Sequence, residues 1–159
     1  MSMQASYIAA AGTEAERKYT VFVVDDSADD RARALKELGK SPQVYNVHCF
    51  GNGDALMEHF AAHAFYNTPV MRSMPLLILL DMHMPGSSGL EILRNLREHP
   101  LTRDIPVVML TSDTSGQTAA EAGKLQVNAF LPKPLRLADV HDVIANGKVR
   151  FARPAAGNI

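Results

Sequence analysis

Leu76-Leu77-Ile78-Leu79-Leu80-Asp81 is a run of five apolar residues ending in one acid. A continuous apolar run of this length, bounded by Pro75, reads as a strand covered on both faces, the habit of parallel sheets flanked by helices. Three further runs share its form. Val21-Phe22-Val23-Val24 ends in Asp25 and Asp26, Ile105 to Leu110 ends in Thr111 and Ser112, and Ala129 to Pro132 ends in Lys133. Tyr45 to Phe50 mixes apolar and polar residues and predicts a fifth strand, at an edge.

Helical patterns lie between the runs. Ser27 predicts the cap of a helix with Ala28, Ala32, Leu35 and Leu38 turned inward, ended by Gly39 and Pro42. Asp54 predicts the cap of a second helix, carrying Leu56, Met57, Phe60, Ala61 and Ala64. Ser88 and Glu91 have capping-box spacing at the start of a third, with Leu90, Leu93 and Leu96 inward and Pro100 beyond its end. Thr118 to Leu125 predicts a short alanine-rich helix, and Leu137, Val140 and Ile144 the inward stripe of a fifth. This alternation predicts an α/β doubly wound parallel sheet of five strands wrapped by five helices.

The chain has 159 residues and 47% hydrophobic content, which suits one compact domain. The expected organisation is a flexible N-terminal tail over 1–18, a domain over 19–148 and a C-terminal tail over 149–159. A net charge of -1 supplies no basic face for nucleic acid. Cys49 is the single cysteine, expected to be small and buried, and it excludes an intramolecular disulfide. No apolar stretch approaches the roughly 20 residues that span a bilayer, and Met1 to Thr20 lacks the pattern of a signal peptide. Residence in the cytoplasm is expected, without membrane contact. The Met-rich connection Phe65 to Pro75 reads as core packing, with partner contact as the alternative.

In an open parallel sheet the carboxyl ends of the strands share one edge, and ligands bind in the crevice there. Asp25, Asp26, Asp81, Thr111 and Lys133 would converge at that edge. Each close pair of carboxylates would repel by roughly 4 kcal/mol at an effective dielectric near 20. A hard divalent cation such as Mg²⁺ is the natural compensation. A carboxylate nucleophile, a cation, an ammonium and a hydroxyl together suit phosphoryl transfer through an aspartyl phosphate.

Val23-Val24-Asp25-Asp26, Leu79-Leu80-Asp81-Met82-His83-Met84-Pro85-Gly86, Leu110-Thr111-Ser112 and Phe130-Leu131-Pro132-Lys133-Pro134 resemble, in combination and order, the receiver domains of two-component response regulators. The likeness runs from about Thr20 to Ile144. It implies a flavodoxin-like strand order 2-1-3-4-5. Asp81 is then the phosphoacceptor, served by a sensor histidine kinase or a histidine phosphotransfer protein. Mg²⁺ would be held by Asp26, Asp81 and the carbonyl of His83, with Asp25 acting through bound water. Lys133 would bind a phosphoryl oxygen, Thr111 and Phe130 would form the switch, and the Lys133–Pro134 bond would be cis. The resemblance further implies a stand-alone signalling protein that catalyses only its own phosphorylation and dephosphorylation. Its output would pass through contacts with a downstream protein or a second copy, on the face of the fourth helix, fifth strand and fifth helix. The surface near Asp29, Asp30 and Arg33 is one candidate docking site for the kinase, and the Phe65 to Pro75 connection is the other.

Three positions depart from the family's pattern, and at one of them, Ser112, where alanine is common, small size is the expected requirement. His83, two residues past the acceptor, is expected either to add a pH dependence near neutrality or to contribute only its carbonyl. Phe130 stands where tyrosine would offer a hydroxyl, so switching there would rest on packing. The other histidines are dispersed and predict no zinc site. Two competing readings are a receiver-fold adaptor without phosphate cycling and a hydrolase of the haloacid-dehalogenase type. The latter family places a second acid where this chain has His83.

Overall fold

A computed structural model describes residues 18–62, 75–112 and 116–151. Nearly all of the expected N-terminal tail and most of the Phe65 to Pro75 connection lie outside these residues. Five strands, β1 (Tyr19–Val24), β2 (Val44–Phe50), β3 (Leu76–Asp81), β4 (Val107–Thr111) and β5 (Ala129–Pro132), form one parallel sheet in the order 2-1-3-4-5. Helices α1 (Ala28–Leu38), α2 (Gly53–Ala62), α3 (Gly89–Glu98), α4 (Gly116–Lys124) and α5 (Leu137–Ala145) connect and cover them.

Alternation along the strands feeds two cores. Val21, Val23, Leu77, Leu79, Val108 and Leu110 meet α1 and α5 on one face, through Ala34, Leu38, Val140 and Ile144. Phe22, Val24, Ile78, Leu80, Val107 and Met109 meet α2, α3 and α4 on the other, through Leu56, Leu93, Leu96 and Ala122. This two-sided coverage is why the strand runs are continuously apolar rather than alternating.

Local chemistry sets the helix starts. The Ser27 and Ser88 hydroxyls accept from the N–H groups of Asp30 and Glu91, both at 3.2 Å, and satisfy donors that have no partner within their helices. The cap of α2 is Asn52, whose Oδ1 accepts from Ala55 N at 2.7 Å, and not the expected Asp54. The inward face of α1 also differs from expectation. Leu38 is buried as expected, but its buried companion is Ala34, whereas Ala28, Ala32 and Leu35 face solvent, with Leu35 49% exposed. Both stripes have helical spacing, and only docking on the sheet chooses between them. Cys49 lies exposed on edge strand β2, against the expectation of burial.

At the amino edge of the sheet Arg97, from the last turn of α3, reaches two segments. Its guanidinium donates to the carbonyls of Ile105 (2.8 Å) and Arg103 (3.1 Å) before β4, and of Leu125 and Gln126 (both 3.0 Å) before β5. Asn128, beside it, caps Val107 N at 2.9 Å. Packing continues past the expected boundary at 148. Val149 and Phe151 are 1% and 3% exposed, and Phe151 stacks on Tyr19 with ring centroids 5.3 Å apart. Val149 and Phe151 are thus part of the α1–α5 core, three residues or fewer past that boundary.

Candidate functional site

Sheet register builds the site. Val24 pairs with Leu80, which sets Asp25 beside Asp81; Asp81 pairs with Leu110, and Thr111 with Pro132. Lys133 N then donates to Thr111 O at 3.0 Å. The acids of β1 and β3 thus flank the point where strand order reverses, the crevice such sheets use for ligands. Thr111 is the last residue of β4 rather than the first beyond it, and it is buried.

Asp25 is buried and firmly held. Its N–H donates to Phe50 O at 3.0 Å, its carbonyl accepts from Arg31 at 2.7 Å, and its Oδ1 accepts from Ser27 N at 3.0 Å. Asp81 is buried too, and its Oδ1 accepts from His83 N at 3.2 Å. Asp26 is exposed at the mouth. One oxygen from each of Asp25, Asp26 and Asp81 lies within 4.8 Å of the others. Lys133 Nζ reaches Asp25 Oδ2 at 2.8 Å, Asp30 Oδ2 at 3.1 Å and Asp81 Oδ2 at 3.2 Å. The Lys133–Pro134 bond is cis.

The electrostatics follow from this crowding. Burial pushes the Asp81 carboxyl above the ordinary aspartate value and the charge of Asp25 adds to it; the His83 N–H and the Lys133 ammonium pull it partly back. Burial works against the Lys133 ammonium, but its bonds to Asp25, Asp30 and Asp81 outweigh that and hold it above the ordinary lysine value. Lys133 is thus cationic at every working pH. A single ammonium does not balance four carboxylates, and hard oxygens of this number and spacing fit a divalent cation.

The loop after β3 carries a short antiparallel pairing. His83–Met84 pairs antiparallel with Ser87–Ser88 around Pro85 and Gly86, and Gly86 has a φ of +77°. Gly89 follows because a Cβ there would lie 2.5 Å from the Asp81 carbonyl oxygen and 2.9 Å from Met82 Cα. Gly89 N donates to Met82 O at 3.0 Å, which pins the acid's strand end to the start of α3. The His83 side chain is exposed, and its backbone N–H is the group that touches Asp81. Phe130 is partly buried against the α2–α4 core, on the other face of the sheet from Leu131. Asp30 is the site residue that sequence reasoning missed in this role; its position in the first turn of α1, three residues past the cap, was the available signal.

An open doubly wound α/β sheet with a buried acidic pocket and an opposed lysine at its switch point defines a small class of cation-binding domains. The chain belongs to the response regulator receiver domain family, whose model matches residues 21–145. It is similar to the probable methanogenesis regulatory protein FilR2 of Methanothrix harundinacea, 28% identical over 127 residues that cover 80% of this chain and 79% of that one. Response regulator Rcp1 of Synechocystis sp. is 29% identical over 126 residues, 78% of this chain and 82% of Rcp1. The Mn²⁺-bound crystal form of Rcp1 superposes with a TM-score of 0.60 at 27% identity, covering 80% of this chain and 90% of that one. The bacteriophytochrome response regulator AtBRR gives 0.67 at 26% identity, covering 88% and 99%.

Proposed function

We propose that this receiver takes a phosphoryl group onto Asp81 from a phosphohistidine of a sensor kinase or a histidine phosphotransfer protein, and signals through contacts that the phosphoryl group alters. The observation that carries the reading is the convergence of Asp25, Asp26 and Asp81 within 4.8 Å, with Lys133 3.2 Å from Asp81. An Asp81 carboxylate oxygen attacks phosphorus, the P–N bond breaks, and its electron pair leaves on the donor imidazole. Mg²⁺, held by Asp26, Asp81 and the His83 carbonyl with Asp25 through water, would neutralise charge on the transferring group. Lys133 exchanges its Asp81 contact for a phosphoryl oxygen, and its permanent charge suits that task. The His83 N–H fixes the orientation of the Asp81 carboxylate, so the backbone of His83, rather than its exposed ring, serves the site.

Thr111 and Phe130 would carry the change outward. Thr111, at the end of β4, supplies a hydroxyl to the phosphoryl group, and Phe130 repacks at the α4–β5–α5 face, which meets a downstream protein or a second copy. The solvent-facing stripe Ala28, Ala32 and Leu35, beside Asp29 and Arg33, supports docking of a kinase helix on α1. No helix among the described residues is long and apolar enough to cross a membrane, which supports a cytoplasmic setting. The protein makes no product beyond its own phosphorylated form. Incubation with phosphoramidate and Mg²⁺ followed by intact mass tests this: one phosphate adduct is expected, abolished by Asp81→Asn and by removal of the cation. An adduct that persists in Asp81→Asn, or none in the parent, would refute the assignment.

A further inference from the structure

Asp30 lies outside the acidic triad, yet its Oδ2 is 3.1 Å from Lys133 Nζ. The same ammonium meets Asp25 at 2.8 Å and Asp81 at 3.2 Å. A lysine ammonium has three N–H donors and no acceptor, so these three carboxylates occupy them all. Two of the three carboxylates belong to the triad that suits a cation, and Asp30 does not. Its place is set by the backbone, since Asp30 N donates to the Ser27 cap at 3.2 Å. The space beneath the lysine, between α1 and Leu135, is a cavity of only about 10 Å³, room for about one water. With its side chain 20% exposed, Lys133 is confined within reach of Asp30.

We propose that Asp30 is a positioning residue that draws the Lys133 ammonium toward α1 and so favours a divalent cation in its competition with Lys133 for the triad. The inference rests on the reading of Asp25, Asp26 and Asp81 as the cation site. With Asp30 charged, the ammonium is shared three ways, and its hold on Asp25 and Asp81 is diluted. With Asp30 neutral, the ammonium settles on those two acids and becomes a stronger rival for their oxygens. Loss of one negative charge near the pocket acts in the same direction. Both effects weaken cation binding, so the sign of the prediction is fixed. When the phosphoryl group arrives, Asp30 is also the one partner of Lys133 that the cation does not claim, and it keeps the ammonium at the pocket during the exchange.

The test is calorimetric titration of the full chain with MgCl₂, without phosphodonor, in parent, Asp30→Asn, Asp30→Glu, Asp29→Asn and Asp26→Asn. Asp30→Asn is expected to weaken Mg²⁺ binding by about three- to tenfold, the scale of one partly screened charge near the pocket. Asp30→Glu restores affinity to within about twofold, because it returns a carboxylate to the ammonium, whereas Asp29→Asn removes an equal charge that does not touch Lys133 and changes affinity less than about twofold. Parent-like affinity in Asp30→Asn, or equal weakening in Asp29→Asn, overturns the proposal while the cation site stands. A parent that binds no Mg²⁺, or an Asp26→Asn variant that binds it as well as the parent, overturns both readings.

Discussion

Replacing Arg97 by methionine keeps most of the aliphatic stem and removes the guanidinium that joins α3 to the segments before β4 and β5. Of its five hydrogen bonds, those to the carbonyls of Arg103 and Gln126 are solvent-exposed, and water replaces them at little cost. The bond to Asn128 Oδ1 is long, at 3.5 Å, and contributes less. The bonds to Ile105 O at 2.8 Å and Leu125 O at 3.0 Å are partly buried and charge-assisted. At about 1.5 kcal/mol each or slightly more, their loss costs about 3 kcal/mol, or roughly 10 °C in melting temperature for a domain of this size. Burial lowers the pKa of Arg97, but a guanidinium stays charged, so the effect is expected to be constant across neutral pH. Urea unfolding followed by far-ultraviolet circular dichroism measures it. Arg97→Lys is the informative companion, because an ammonium keeps the charge but cannot span carbonyls on separate segments. A loss below about 1 kcal/mol in Arg97→Met, or recovery to parent stability in Arg97→Lys, would refute the view that the fork geometry holds this end of the sheet.

Gly89→Ala places a methyl group 2.5 Å from the Asp81 carbonyl oxygen and is expected to cost about 3 kcal/mol on a thermal melt, with slower phosphorylation of Asp81; a variant that melts with the parent would contradict that packing. In cation-free buffer the raised value of Asp81 means that the folded state holds its proton more tightly than the unfolded chain. Its contribution to stability is then complete at acid pH and lost as pH rises from the unfolded value through the folded one. Asp81→Asn should flatten that decline and exceed the parent in stability at neutral pH, and Mg²⁺ should stabilise the parent but scarcely the variant; chemical denaturation over a pH series with and without Mg²⁺ decides it. Phe151→Ala removes the stack on Tyr19 and is expected to lower stability by about 3 kcal/mol in urea titrations, whereas an unchanged midpoint would return the boundary to 148. Tyr19→Phe should move the other way, a gain of about 1 kcal/mol in the same titrations, because the buried Tyr19 hydroxyl has no hydrogen-bond partner among the described residues and its pKa is pushed up to about 12 by burial.

Strand identity was legible because residues buried on both faces must be apolar throughout, a requirement independent of which helix covers them. The acids, Thr111 and Lys133 were legible for a related reason, since each follows such a run and parallel strands end at one edge. Helix faces were less so. On α1 Leu38 belongs both to the stripe Ala28–Ala32–Leu35–Leu38 and to the stripe Ala34–Leu38, and the sheet buries only the second. The cap of α2 went to Asn52 because the helix begins at Gly53, which places Asp54 inside the first turn and Ala55 N within reach of the Asn52 side chain. Cys49 is exposed because β2 is an edge strand, a fact of sheet order rather than of residue type.

By itself, then, the sequence determined the α/β alternation and the residues that arrive at the carboxyl edge, since apolar periodicity and strand direction are properties of the chain read in order. The tertiary structure alone decided how those residues share charge. Lys133 and Asp30 are 103 positions apart, and their contact at 3.1 Å exists only because the carboxyl end of β5 and the first turn of α1 meet at the same edge of the sheet. Arg97 and Phe151 acquire their roles in the same way, by closing ends of the sheet that local patterning does not reach. Hydrogen bonds and ion pairs of this kind depend on distances between segments, and no spacing along the chain records them.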